Sequence, residues 1–163
     1  MQWPVPLFLQ ENEFMPVIQI RYDKESRTFT AIDEDHNEVN FQSAPDGTER
    51  PQQNALSRGV RPMQGLLMSL GTCSGIDIVA ILEKQRQDFD RFELRVTGER
   101  EQDKIPALWI RAKVDFILDG TLDADKVQRA AALSIDKYCS VAETLRRAGC
   151  AVTYSVVLNE GKE

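Results

Sequence analysis

The stretch PMQGLLMSLGTCSGIDI, residues 62–78, decides the fold of this chain. Its apolar residues point all round a helix, and Asp77 is the only charged residue before Glu83. Pro62 suits the first turn of a helix, and a helix without a polar face is normally buried at the centre of a domain. The glycines at positions 65, 71 and 75 each cost about 1 kcal/mol relative to Ala in a helix interior. We therefore expect another helix or a ligand to approach this helix closely.

Alternating apolar and polar residues predict strands on both sides of this helix. On the N-terminal side, residues 17–22, residues 27–32 and a short segment around Val39 and Phe41 form a meander, which a surface loop at 43–59 follows. On the C-terminal side, residues 89–97 and 107–118 form an antiparallel hairpin, with Trp109 on its exposed face.

A second helix follows, and one last strand completes the fold. The helix is capped by Thr121 or Asp123, ends at Arg146, Arg147 and Gly149, and precedes a strand at 150–158. The order βββ–α–ββ–α–β predicts an α+β fold whose sheets pack on two central helices. We expect a single domain over residues 1–163, with residues 1–16 as an N-terminal arm.

Composition narrows the class of protein. The net charge is −6, and basic residues alternate with acidic ones, as in 91–104, so no nucleic-acid groove is expected. No apolar run approaches the ~20 residues that span a bilayer, and residues 1–9 lack the features of a secretory signal. Three cysteines are too few for a disulfide framework. The sequence therefore predicts a cytoplasmic protein without membrane association, in a compartment where paired thiols are more often catalytic than structural.

Two of the three cysteines are candidates for chemistry. Cys73 lies between two glycines of the first helix, and Cys139 lies in KYCSVAETL, near the middle of the second helix. Free cysteines are commonly buried core residues. If the two helices pack face to face at about 8–10 Å, however, the two thiols could meet. Cys150 is expected to be a small buried hydrophobic residue.

Other polar candidates are weaker. His36 lies in a DEDHNE turn that lacks the spacing of a calcium loop, so it is expected at the surface. Asp77, one turn after Cys73, is expected to accept a buried hydrogen bond or to pair at an interface. The sequence contains no GxGxxG, phosphate-loop, CxxC or HExxH motif, so neither a cofactor nor a metal is predicted.

The motifs PMQGLLMSLGTCSGIDI and KYCSVAETL together resemble the OsmC/Ohr family. The separation of the two cysteines and the order of strands and helices are also similar to that family. The resemblance implies an intertwined homodimer with active sites between the subunits. It further implies a thiol peroxidase for small organic hydroperoxides. Cys73 would be the peroxidatic thiolate, and Cys139 the resolving thiol of a disulfide that an external dithiol reduces.

The family also supplies an arginine from the N-terminal hairpin, which favours the reactive thiolate and is held by a Glu near the start of the first helix. In this sequence Gln64 stands where that Glu is expected. Arg27 is our assignment for the arginine, with Arg21, Lys24 and Arg61 as alternatives. An amide can orient a guanidinium but lacks the anion that would pair with it.

Three functions stay open on the sequence. The first is the dithiol peroxidase. The second is a stress-related OsmC-fold protein without peroxidase activity, which binds a small apolar or thiol-reactive molecule; Gln64 favours it. The third is a structural or interaction dimer in which both thiols belong to the core.

Overall fold

A computed structural model describes residues 16–25, 28–42 and 59–159. The chain separates into two compact units, Met1–Pro62 and Met63–Glu163, and the described residues of each unit form one three-stranded sheet. Mixed strands and helices confirm the predicted α+β fold. The single domain expected over residues 1–163 stays a prediction, and most of its N-terminal arm lies outside the described residues.

The first unit is the predicted meander. Its strands are β1 (Gln19–Asp23), β2 (Thr28–Ile32) and β3 (Glu38–Phe41), which pair antiparallel in the order β1-β2-β3. The turn between β2 and β3 contains His36, whose φ of 64° is left-handed, and the Asp33 carboxylate accepts a hydrogen bond from the Asn37 N–H (2.8 Å). This sheet leaves apolar side chains exposed, namely Ile20, Tyr22, Phe29 and Val39.

The second unit carries the long helix and the second sheet. Its elements are α1 (Pro62–Lys84), β4 (Arg91–Arg100), β5 (Trp109–Asp119), α2 (Ala124–Leu133), a π-helical turn (Ser134–Tyr138), α3 (Ser140–Arg147) and β6 (Ala151–Asn159). β4 and β5 form the predicted antiparallel hairpin, whereas β6 pairs parallel to β5. The helical segment between β5 and β6 provides the crossover that a parallel pair requires.

Alternation along β5 builds the core, as its sequence predicts. Ala112, Val114, Phe116 and Leu118 are buried on one face of β5. Leu70, Ile78 and Leu82 of α1 belong to the same cluster, with Val127, Ala130 and Ala131 of α2.

The prediction that Trp109 lies on the exposed face is wrong. The β4–β5 register shifts between Glu99 and Arg100, so Trp109 pairs with Arg100 beyond an irregularity. A bulge re-aims the side chains next to it. The indole is half-buried, and its N–H donates to the Met63 carbonyl at the start of α1 (3.0 Å).

In this chain α1 is buried on one face only, not all round as expected. Leu70, Ser74 and Ile78 are completely buried, while Met68 is 53% exposed and Ile76 is 72% exposed. By length and composition α1 could cross a membrane, so the expectation that no apolar run approaches 20 residues is wrong. The core helix of a soluble domain meets the same criteria, and α1 packs on the second sheet.

Gly71 and Gly75 of α1 face the sheet and not the second helical segment. A Cβ on Gly71 would lie 2.8 Å from Val96 Cγ2, and a Cβ on Gly75 would lie 2.8 Å from Leu94 Cδ1. The close approach that we expected is therefore supplied by β4. This contact packs α1 on the second sheet, and Cys73 lies on the opposite side of the helix.

Candidate active site

Cys73 lies on α1 and is half-buried, while Cys139 and Cys150 are each 3% exposed. All three are free thiols. Cys150, just before β6, lies in the core cluster, as predicted. Cys73 is therefore the most accessible thiol of the chain.

Cys139 does not lie within a continuous helix, which corrects the sequence prediction. The helical segment is interrupted after Leu133 by the π-helical turn, and Cys139 itself is extended (φ −67°, ψ 100°). It is the N-cap of α3, where the Ala142 N–H donates to Cys139 Sγ (3.4 Å). A thiol can take this role because it has the shape of the Ser side chain that commonly caps helices.

The break also turns the predicted apolar face of this segment. The sequence pattern places Tyr138 on the apolar face of the second helix, but this side chain is 52% exposed, while Cys139 beside it is buried. A π-helical turn inserts an extra residue into the helical repeat. The insertion rotates the tyrosine outward and directs the cysteine toward α1.

The structure brings the Cys73 and Cys139 thiols together. Burial raises the pKa of Cys139 to about 11 from its ordinary value of 9.0. The Ala142 N–H opposes this rise, whereas the hydrogen bond and the charge of Cys73 add to it. The Cys73 side chain therefore lies close enough to Cys139 to raise its pKa. The more buried thiol keeps its proton at neutral pH.

Gln64 does not share the Cys73 side of α1. It precedes Cys73 by nine positions (73 − 64), which is about two and a half turns at 3.6 residues per turn. The two side chains therefore point to opposite sides of the helix. Gln64 instead lines a groove of ≈ 490 Å³ between α1 and β4, together with apolar side chains that include Leu67, Met68, Leu94 and Val96.

The arginine that would favour the thiolate stays a prediction. Arg27 lies outside the described residues. Of the alternatives, Arg21 is exposed on β1, Lys24 is exposed in the turn that follows, and Arg61 is half-buried just before α1.

Asp77 lies one turn beyond Cys73 on the same side of α1 and is half-buried. Burial raises the pKa of its carboxyl group. Among the residues that the structure describes, its Oδ2 is buried without a hydrogen-bond partner. The hydrogen bond expected from the sequence is therefore not made within this part of the chain.

The sequence did not identify two buried serines near the cysteines. Ser74 follows Cys73, and Ser134 begins the π-helical turn; both are completely buried. The Ser134 hydroxyl donates to the Ser74 carbonyl (2.8 Å). A small polar residue on an otherwise apolar helical face is the signal that could have found each of them.

Comparisons with known proteins place this geometry in a family. The family model described as OsmC-like protein matches residues 53–155. Protein YhfA of Escherichia coli (strain K12) is 42% identical over 96 residues, which are 58% of this chain and 71% of that protein.

Solved structures share the fold. A hypothetical protein from Aquifex aeolicus VF5 has a TM-score of 0.74 at 23% identity, over 91% of this chain and 98% of that one. An organic hydroperoxide resistance protein OsmC from Legionella pneumophila has a TM-score of 0.62 at 12% identity, over 90% of this chain and 99% of that one.

Proposed function

Because this chain belongs to the OsmC-like family, we propose that it is a thiol-dependent peroxidase that reduces organic hydroperoxides through Cys73 and Cys139. The observation that carries the proposal is the contact between an accessible thiol and a buried thiol on different structural elements. A protein that shares the fold is an organic hydroperoxide resistance protein, which supports the choice of substrate.

The covalent steps take place on these two side chains, and an external dithiol completes the cycle. The Cys73 thiolate attacks the terminal oxygen of the hydroperoxide; the S–O bond forms, the O–O bond breaks, and the alkoxide takes up a proton to leave as the alcohol. Cys73 is then a sulfenic acid. The Cys139 sulfur attacks the Cys73 sulfur, and hydroxide leaves with the Cys139 proton as water. The dithiol reduces the resulting disulfide by thiol–disulfide exchange.

The pKa of Cys139 explains why the two thiols have different roles. A thiol with a pKa of about 11 is protonated at neutral pH and does not compete for the peroxide. One cause of the high pKa is the charge of Cys73. Oxidation of Cys73 to a neutral sulfenic acid removes that cause. Cys139 then loses its proton more readily, at the step in which it has to attack.

The surroundings of Cys73 favour an organic substrate. Ile76, which lies three positions further along the same helix surface, is 72% exposed. An apolar side chain at this place gains contact with the organic group of a hydroperoxide, whereas hydrogen peroxide offers no such group. We therefore expect hydrogen peroxide to be the poorer substrate.

A second copy of the chain completes the assembly. A helix that is apolar all round has no side suited to water, and α1 leaves Met68 and Ile76 exposed. A homodimer would cover this surface. Light scattering at micromolar concentration should give about twice 18.5 kDa, and a clean monomer would contradict the assembly. We further propose that the dimer is cytoplasmic. The proposed reaction involves no nucleic acid, membrane, metal or cofactor.

Turnover of cumene hydroperoxide with dithiothreitol as the dithiol tests the activity. Cys73→Ser should abolish turnover. In a single turnover without dithiothreitol, Cys139→Ser should consume one equivalent of hydroperoxide and leave a sulfenic acid that dimedone traps. Cys150→Ser, which changes a buried thiol outside the pair, is the matched control and should keep the wild-type rate. Full activity of Cys73→Ser would overturn the proposal.

The groove between α1 and β4 favours a second function, the binding of a small apolar molecule without peroxidase activity. An apolar fluorescent probe, anilinonaphthalene sulfonate, tests it. Met68→Arg places a charge in the groove and should abolish probe binding. Glu83→Arg, at an exposed position of α1 outside the groove lining, is the control. Probe binding by a wild-type protein that consumes no peroxide would select this second function.

A further inference from the structure

The π-helical turn before Cys139 is held at both of its ends. At its start, the Ser134 hydroxyl donates to the Ser74 carbonyl (2.8 Å), and Ser74 is the immediate neighbour of Cys73. At its end, the Cys139 N–H donates to the Ser134 carbonyl (2.8 Å). Two hydrogen bonds through one residue therefore connect the backbone beside Cys73 with the backbone of Cys139.

The Ser134 hydroxyl connects two structural elements, whereas the Ser74 hydroxyl bonds within its own helix. Ser74 Oγ donates back to the Leu70 carbonyl (2.8 Å), within α1. Ser134 instead reaches an element 60 positions away in sequence. A carbonyl oxygen has two lone pairs, so the Ser74 carbonyl can accept the Ser134 hydroxyl in addition to a helical N–H.

Arg146 holds the opposite side of the turn. Its guanidinium donates to the Ile135 carbonyl (2.8 Å) and to the Asp136 carboxylate (2.7 Å). The carbonyls of a π-helical turn are not all satisfied by the regular helical pattern. Arg146 supplies a donor to this turn from α3, the helix that Cys139 caps.

We propose that Ser134 and the π-helical turn that it begins position Cys139 for disulfide formation with Cys73. Ser134 is a positioning residue in this account, since it contacts neither the peroxide nor a sulfur in the reaction. The proposal rests on the proposed function, because it assigns Ser134 a part in the second step of that reaction. Its physical basis is the alignment of two sulfurs, which disulfide geometry restricts narrowly.

Equilibration with glutathione measures this alignment without any peroxide. The protein dithiol and oxidised glutathione exchange to give the protein disulfide and two reduced glutathiones, so the equilibrium constant reports the effective concentration of one thiol at the other. All variants carry Cys150→Ser, which removes the third thiol. Ser134→Ala should lower the constant about fivefold, in line with the loss of one hydrogen bond that fixes the geometry.

Ser74→Ala is the matched control, because it removes a buried hydroxyl at the same place that bonds only within α1. It should leave the constant within about twofold of the parent protein. A purely structural role for Ser134 would lower the unfolding midpoint in urea while the constant stayed unchanged, and that result would overturn the proposal. Equal losses in both serine variants would overturn it as well.

Arg146→Met provides a second test at a side chain that is 28% exposed, should Ser134→Ala not fold. This substitution removes the hydrogen bonds of the guanidinium to the π-helical turn. It should lower the equilibrium constant with glutathione about threefold. An unchanged constant in a folded Arg146→Met protein would contradict positioning by the turn. Failure of the peroxidase proposal is distinguishable, since the parent protein would then form the disulfide with glutathione yet consume no hydroperoxide.

Discussion

Replacing Cys73 with alanine should lower the pKa of Cys139. The hydrogen bond and the charge of Cys73 both raise that pKa, and the substitution removes both. Burial is the largest cause and persists in the variant. The pKa should therefore fall from about 11 toward the ordinary 9.0.

The pKa of Cys139 can fall by at most about two units, and this limit sets the largest increase that we expect in its alkylation rate. At pH 8, a thiol with a pKa of about 11 is a thiolate in ~1 molecule of 1000, and one with a pKa of 9.0 in ~1 of 10. Since the thiolate is the nucleophile, alkylation of Cys139 can accelerate by up to about 100-fold. The pH of the midpoint, rather than one rate, should be compared, because the thiol is buried in both proteins.

The assay is alkylation by iodoacetamide from pH 7 to pH 11, with each cysteine peptide quantified by mass spectrometry. Cys150 is an internal control, since burial alone raises its pKa. Its alkylation should not change in Cys73→Ala. An unchanged midpoint at Cys139 would refute the contact between the two thiols. A parallel change at Cys150 would show that the substitution loosened the core instead.

Four further substitutions test the two sides of α1. Gly71→Ala places a methyl 2.8 Å from the stiff Val96 side chain and should cost about 1–2 kcal/mol in urea unfolding, whereas Gly75→Ala meets only the end of a leucine and should be neutral or stabilising. Gln64→Glu should leave the hydroperoxide rate within about twofold, because the new carboxylate points away from Cys73; a larger change would refute that geometry. Asp77→Asn should raise the unfolding midpoint at pH 7. Burial raises the pKa of this carboxyl, so its ionised form costs stability above the folded pKa, and the gain should vanish below the unfolded value of 3.8.

Much of the second unit could be predicted from periodicity. The alternation from Leu108 to Leu118 predicted one apolar face; its members Ala112, Val114, Phe116 and Leu118 are buried, whereas Leu108 is 46% exposed. Local capping chemistry was equally informative, since the Asp123 carboxylate caps α2 by accepting from the Lys126 N–H (3.1 Å). These features depend on neighbouring residues, which a single sequence displays.

The sequence did not reveal the features that depend on register. A bulge at Glu99 and Arg100 moved Trp109 to the other face, because one extra residue reverses a period of two. The π-helical turn likewise changed which residues of the second helical segment are buried and which are exposed. The apolar pattern continues through the break, so it predicted one helix. Cys139, a residue with the shape of serine, followed by Glu143 in a first helical turn, was the available signal for a helix start.

The sequence pattern also did not show which elements contact the candidate site. The glycines beside Cys73 predicted a close approach but not which element makes it, and β4 makes it. A tertiary contact of this kind depends on how strands and helices stack, which spacing along one helix does not encode. The family motif gave the cysteine pair, while the position of Gln64 followed only from the helix as folded.

The central claim is that Cys73 and Cys139 form one redox pair, and one measurement tests it directly. Fully reduced protein is exposed to a slight excess of cumene hydroperoxide, alkylated, and mapped by peptide mass spectrometry without reduction. We predict an intramolecular Cys73–Cys139 disulfide, with Cys150 recovered as the alkylated thiol. Recovery of both Cys73 and Cys139 as alkylated thiols after full exposure would contradict it.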